Sequence, residues 1–209
     1  MKDISSTGSF VDFTLENFIY VDKTEYIPKL LKLKRVFISR PRRFGKSLTL
    51  DTIATLFETG VEPYFKGTWI YDKWTEPTYP VLRLNFLDLD KYSLEHFKQK
   101  LNAIISSFAR DINVKNYEEK VEPEDTIYFL LDELRKEKRQ IVILIDEYDC
   151  QMTANINNET LYKQFQEKSQ AFMPTSKISL QLMKLYISNF RKKSKAFTPL
   201  LKISGQLSS

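Results

Sequence analysis

Two groups of residues, about a hundred positions apart, have the types and spacing to act together on a phosphorylated ligand. The first is Arg40-Pro41-Arg42-Arg43-Phe44-Gly45-Lys46-Ser47, and the second is the pair Asp146-Glu147. A loop of the form G-x-x-x-x-G-K-[ST] between a strand and a helix turns its backbone N–H groups onto phosphate oxygens, aided by the positive end of the helix. Gly45 permits close backbone approach, Lys46 offers a flexible ammonium to the terminal phosphates, and the Ser47 hydroxyl can ligate Mg²⁺. The phosphate-contacting stretch is therefore Arg40, Arg42, Arg43, Phe44, Gly45, Lys46, Ser47 and Leu48. Arg40 stands where the motif has its first glycine, which removes one permissive backbone position and adds cation density.

The run Ile141-Val142-Ile143-Leu144-Ile145 ends in Asp146 and Glu147. Carboxylates at the end of a buried strand are costly unless a cation faces them. Mg²⁺ and Lys46 would provide that partner, with Asp146 on the metal shell and Glu147 placed to polarise an attacking water. Each pattern has a plain alternative when taken alone: a strand-to-helix turn with surface arginines, and a strand closing in solvated acids. Together they predict an ATP-binding P-loop protein, and their separation leaves room for an intervening strand.

The elements around the two groups support that placement. Residues 18–24 read as an edge strand or extended segment, 25–34 as a helix, and Arg35 to Ser39 as a short buried strand. Lys46 to Glu58 has a helical stripe ending near Gly60, and residues 61–79, rich in aromatics and proline, read as loop. Pro80 to Phe86 alternates apolar and polar as a strand does. Helices are predicted over 93–110, over 123–138 with acids first and bases last, and over 159–172; Ile141 to Ile145 is the central strand. Residues 1–18 read as a loosely structured lead-in. The alternation favours an α/β fold, a parallel sheet flanked by helices, whose ligands bind beyond the C-terminal strand ends.

Composition narrows the class. The 209 residues are 42% hydrophobic and 28% charged, ordinary for a globular domain with a real core, and suit one α/β domain. Only 5 Gly are present, so a motif glycine is informative. A single cysteine, Cys150, excludes an intrachain disulfide and fits a reducing compartment. MKDISSTGSF lacks the marks of a secretory signal, and the apolar runs are too short to span a bilayer, so a cytoplasmic location with no membrane partner is expected.

The formal charge of +5 resides in the C-terminal segment. Residues 174–209 hold 7 of the 32 basic residues and no acid, leaving 25 against 27 acids, a net −2, for residues 1–173. The basic excess thus says little about the body's ligand. The expected organisation is a P-loop domain over 1–173 and a divergent basic segment over 174–209.

Four stretches, YVDKTEYI (20–27), FISRPRRFGKSLTL (37–50), PVLRLNF (80–86) and ILIDEYD (143–149), resemble in order and spacing the predicted AAA-ATPase-like proteins of bacteria. That resemblance covers roughly residues 8–165. The phosphate loop of that family is itself of the R-P-R-R-F-G-K-S type, so Arg40 resembles a family trait. The resemblance implies an ASCE-type P-loop NTPase core with ATP and Mg²⁺ as ligands. Carried over residue by residue, Gly45, Lys46 and Ser47 are phosphate and metal contacts, Asp146 the metal-side acid and Glu147 the catalytic base. It also places Tyr20 to Thr24 near the adenine.

Members of the family often carry a restriction-endonuclease-like domain after the ATPase module, and such ATPases have a later strand ending in a polar sensor residue. Neither is recognisable in the sequence; Lys202-Ile203-Ser204-Gly205 is only a loose match to the sensor strand. The loss of acids from residue 174 onward is read as a truncated or altered C-terminus, as a reading-frame change would give.

Other residues with chemical potential have ordinary readings. His96, the one histidine, reads as structural or exposed, which excludes histidine-rich zinc sites. Cys150 has no second thiol to pair with. Asp149 reads as a solvated loop acid or, less commonly, as a residue supporting the acids of the site from behind, and Asp88 and Asp90 as either site-facing or turn residues. The cluster Arg191-Lys192-Lys193-Ser194-Lys195 offers a weak case for nucleic acid contact against the commoner reading of a solvated face. The leading function is Mg²⁺-dependent ATP hydrolysis, slow or dependent on a partner. A nucleotide-gated switch acting on a nuclease or other protein effector, and a non-hydrolysing remnant of an ATPase-nuclease protein, are the alternatives.

Overall fold

The structure is a computed structural model that describes residues 8–16, 18–32, 35–39, 44–172 and 183–190; side chains are not described for 35, 37–39, 171–172 and 183–190. Arg40, Arg42 and Arg43, the 191–195 cluster and residues 202–205 lie outside the described residues. Four parallel strands, β1 (Arg35–Ser39), β2 (Val81–Asn85), β3 (Ile141–Asp146) and β4 (Met183–Phe190), stand in the order β1-β4-β3-β2.

The central strand β3 explains the two-sided core. Successive side chains of a strand point to opposite faces. Ile141, Ile143 and Ile145 face one cluster together with Leu82, Leu84 and Phe86, whereas Val142 and Leu144 face the other with Val81. All five apolar residues are buried, the unbroken pattern of a parallel strand covered on both sides. On the first face lie α4 (Leu94–Asp111), α5 (Pro123–Lys136) and α7 (Glu159–Phe172), contributing among others Phe97, Leu101, Ile105, Leu130, Leu134 and Phe165. On the second lie α1 (Phe10–Leu15), α2 (Ile27–Leu31) and α3 (Lys46–Thr59), with Phe10, Ile27, Ile53, Leu56 and Phe57 fully buried.

Three elements depart from the sequence expectations. The lead-in contains α1: the Ser9 hydroxyl caps it by accepting from the Asp12 N–H, and Phe10 and Phe13, three positions apart, bury the same side. The 25–34 helix is shorter, a 3₁₀ turn over Thr24–Tyr26 leading into Ile27–Leu31. The strand between β1 and β3 is β4, from beyond residue 173, while β2, which lies between the motifs in sequence, takes the edge beside β3. The apolar run in MKLYISNF is only the three residues Leu185 to Ile187, and its pairing partners are far away in sequence, so the local signal is weak.

The α4–α5–α7 face is joined by charges as well as by packing. Glu122, preceding α5, accepts from Lys98 of α4 (2.7 Å) and Lys168 of α7 (2.5 Å), and Lys168 also reaches Glu124 (2.7 Å). The hydrogen bonds from Lys168 and then Lys98 hold the Glu122 carboxyl below its ordinary value of 4.5. A carboxylate depressed in the folded state contributes stability above its unfolded value, and that contribution fades as pH falls through the depressed folded value. Glu122→Gln is therefore expected to lower stability at pH 7 by about 1 kcal/mol or less, the size of partly exposed ion pairs. The difference from wild type should shrink well below pH 4.5. Urea unfolding at pH 7 and pH 3 checks this.

Candidate functional site

Parallel pairing brings the ends of β1 and β3 to one edge of the sheet. Ser39 stands level with Phe190 of β4, and Ile145 of β3 with Ser188, so β4 alone separates the two. Two interstrand steps make that separation roughly 10 Å. Such a gap suits a lysine and a hydrated Mg²⁺ acting from opposite sides on one polyphosphate. Ser188, registered against both motif strands, and Asn189, registered against β1, are polar positions at the end of the separating strand that no sequence motif marks.

On the β1 side, Gly45 precedes α3 with φ 70°, a left-handed conformation that favours glycine. No side chain caps α3 at this point. The first N–H groups of a helix have no partners within the helix, so such an end can receive an anion. Lys46 opens α3 and is 8% exposed, Ser47 is exposed beside it, and Leu48 is half-buried. Phe44, 57% exposed, lies at the rim.

On the β3 side the chain turns sharply. Glu147 has φ 52°, a left-handed conformation unfavourable for a residue with a side chain, and its N–H donates to Asp146 Oδ1 at 2.8 Å. This turn fixes the two carboxylates relative to each other. Residues 148–151 anchor it: Tyr148, Asp149 and Cys150 are buried, and α6 (Cys150–Ala154) begins at once. Cys150 Sγ (3.1 Å) and Gln151 Nε2 (2.7 Å) both donate to the Phe86 carbonyl just past β2. Burial pushes the Tyr148 phenol far up, so it remains a neutral packing group. Asp149, expected as a solvated acid, is 1% exposed: the left-handed turn at Glu147 directs the chain inward rather than out into solvent.

The Ser47 hydroxyl and the Asp146 carboxylate are oxygen donors of the kind a hydrated Mg²⁺ takes. No three His, Cys, Asp or Glu side chains converge among the described residues, so no protein-only metal cage is formed there. A Mg²⁺ held by Ser47 and Asp146 would complete its shell with phosphate oxygens and water, the usual habit of this ion.

A cavity of about 500 Å³ adjoins Gly45. It is lined by Phe13, Ile19, Tyr20, Ile27, Phe44, Leu48 and neighbouring residues of α1, the 18–24 segment and α3. The walls are tied together by polar contacts. The Thr52 hydroxyl donates to the Leu48 carbonyl (2.7 Å), which leaves its oxygen to accept from the Tyr20 hydroxyl (3.4 Å). Asp51 of α3 accepts the Phe10 N–H at 2.6 Å, fixing α1. Burial raises the Tyr20 phenol above its ordinary value.

The family described as AAA-ATPase_like, Predicted AAA-ATPase, matches residues 5–190. The chain belongs to the AAA-ATPase-like family. That membership suggests nucleotide binding, and the matched span includes both motif segments and β4. One curated relative, "Uncharacterized protein in vnfD 5'region" of Azotobacter chroococcum mcd 1, is 48% identical over 73 residues. The match covers 34% of this chain and 14% of the relative, so the matched segment is a small part of that protein. No solved structure matches the chain.

Asp90 of this AAA-ATPase-like chain is a turn residue. Asp90 Oδ1 accepts the Tyr92 and Ser93 N–H groups, which hold its carboxyl below the usual range in the turn that opens α4. His96 is exposed, with Nδ1 3.7 Å from Asp90 Oδ2. No helix of the described residues is long and apolar enough to cross a membrane.

Proposed function

We propose that this chain binds ATP with Mg²⁺ and hydrolyses it, on an ASCE-type P-loop sheet whose motif strands flank β4. The observation that carries the reading is the shared edge: uncapped α3 follows β1, and the Asp146-Glu147 turn follows β3, two strands away. Residues 1–173 form the body of this domain, and β4 from the basic segment completes the sheet between the motifs.

In this reading the N–H groups at Gly45 through Leu48 hold phosphate oxygens, and Lys46 neutralises the terminal phosphates. Arg40, Arg42 and Arg43 add positive charge to the same loop by their place in sequence. Ser47 and Asp146 hold the metal. When bound, Mg²⁺ offsets negative charge on the phosphoryl oxygens. Glu147 orients the attacking water and accepts its proton as the new P–O bond forms and the bond to the ADP oxygen breaks. The cavity beside Gly45 takes the nucleoside, with its apolar walls against the base. A protein effector, a nuclease among the candidates, reads the resulting nucleotide state.

Phosphate release from MgATP by the purified chain tests the reading. Release that EDTA abolishes is expected. Thermal stabilisation by MgATP without any release would turn the reading to a nucleotide-gated switch, and absence of both would end it.

A further inference from the structure

Lys23 stands where the apolar cavity meets the phosphate loop. It lines the cavity, and a Cβ built on Gly45 would lie 3.8 Å from its Nζ, so the ammonium faces the loop glycine at close range. Among the described residues Lys23 makes no salt bridge. Its position is imposed from both sides. Asp22 accepts the Thr24 N–H (2.8 Å) and the Trp69 N–H (2.6 Å), and the buried Thr24 hydroxyl accepts the Ile70 N–H (3.2 Å). The turn over Thr24–Tyr26 is closed by the Tyr26 N–H on the Lys23 carbonyl (3.1 Å). The two flanking side chains are thus engaged in holding the 68–70 loop, and the ammonium between them is directed to the opening beside Gly45. A cation among apolar walls without a carboxylate partner is a ready site for an anionic group.

We propose that Lys23 is a second ammonium contact to the nucleotide's phosphates, supplied by the segment ahead of β1 at the nucleoside end of the site. It makes the site select a phosphorylated nucleoside over the bare nucleoside. This role rests on the nucleotide-binding reading of the site. The competing role is packing, with the lysine's aliphatic stem merely covering the cavity wall.

Titration of the full chain with MgATP, MgADP and adenosine separates these. Lys23→Met should weaken MgATP and MgADP binding about tenfold or more, as loss of one charge-assisted hydrogen bond implies, and leave adenosine within about twofold. Lys23→Arg should recover most of the affinity. If Lys23→Met fails to fold, Lys23→Gln, which keeps a polar end, carries the same expectation. Unchanged MgATP affinity in the variant overturns the assignment, and so does an equal loss for all three ligands, which would mark a packing role. Failure of wild type to bind any of the three overturns this proposal together with the nucleotide site. Wild-type binding that the variants leave untouched overturns Lys23 alone.

Discussion

Glu147→Gln is expected to leave MgATP affinity close to wild type and to lower phosphate release by on the order of 10²-fold or more, the contribution of a positioned general base. The substitution keeps size and hydrogen-bonding shape and removes only the carboxylate proposed to take up the proton of the attacking water. The backbone argues for reading the effect chemically. Glu147 already adopts a left-handed conformation, and its N–H is given to Asp146 Oδ1; glutamine at the same place keeps both features. Asp146 therefore keeps its backbone contact, and under the proposed role of Asp146 binding is expected to survive. Single-turnover phosphate release alongside a binding titration checks the split. A loss of binding equal to the loss of rate would place Glu147 among the groups that hold the nucleotide rather than those that activate water.

Lys46→Ala should have the opposite signature, a fall in MgATP affinity on the order of 10²-fold, because charge-assisted contacts to more than one phosphate disappear. Lys46 is the first residue of α3, at its uncapped end, and is 8% exposed, so its side chain is packed rather than extended into solvent. Alanine is a better helix former than lysine, so α3 itself does not suffer from the change. Stability without nucleotide should change by no more than about 1 kcal/mol. The stabilisation that MgATP gives the wild type should vanish at ligand concentrations far below the weakened dissociation constant. Melting curves with and without MgATP measure both effects together.

Much of this site is legible in the sequence because its parts are local. A strand, a glycine in left-handed backbone and a helix follow one another within Arg35 to Thr59, and the five apolar residues of β3 run directly into their two acids. Strand-loop-helix chemistry of this kind needs no knowledge of distant contacts. The position of β4 was not legible. Its neighbours Tyr186↔Arg35 and Tyr186↔Ile143 are set by long-range pairing, and nothing within MKLYISNF announces a central strand. Asp149 illustrates the same limit on a smaller scale: an acid after DEY reads as solvated until the left-handed turn at Glu147 is known to carry the chain inward. The Asp22 and Thr24 contacts to residues 69 and 70 span more than forty positions, so the sequence marked the YVDKT segment only through its resemblance to a family, without its physical reason. The cavity beside Gly45 needed α1, and α1 was hidden because a six-residue helix has too little length for a periodic signal.

The central claim, that the edge shared by β1 and β3 is a Mg²⁺-nucleotide site, meets its most direct test in calorimetric titration of the wild-type chain with MgATP, with Lys46→Ala titrated in parallel. Saturable binding at one site per chain in the wild type, lost or greatly weakened in Lys46→Ala, is the predicted result. Absence of binding in the wild type, or binding that Lys46→Ala leaves unchanged, would contradict it.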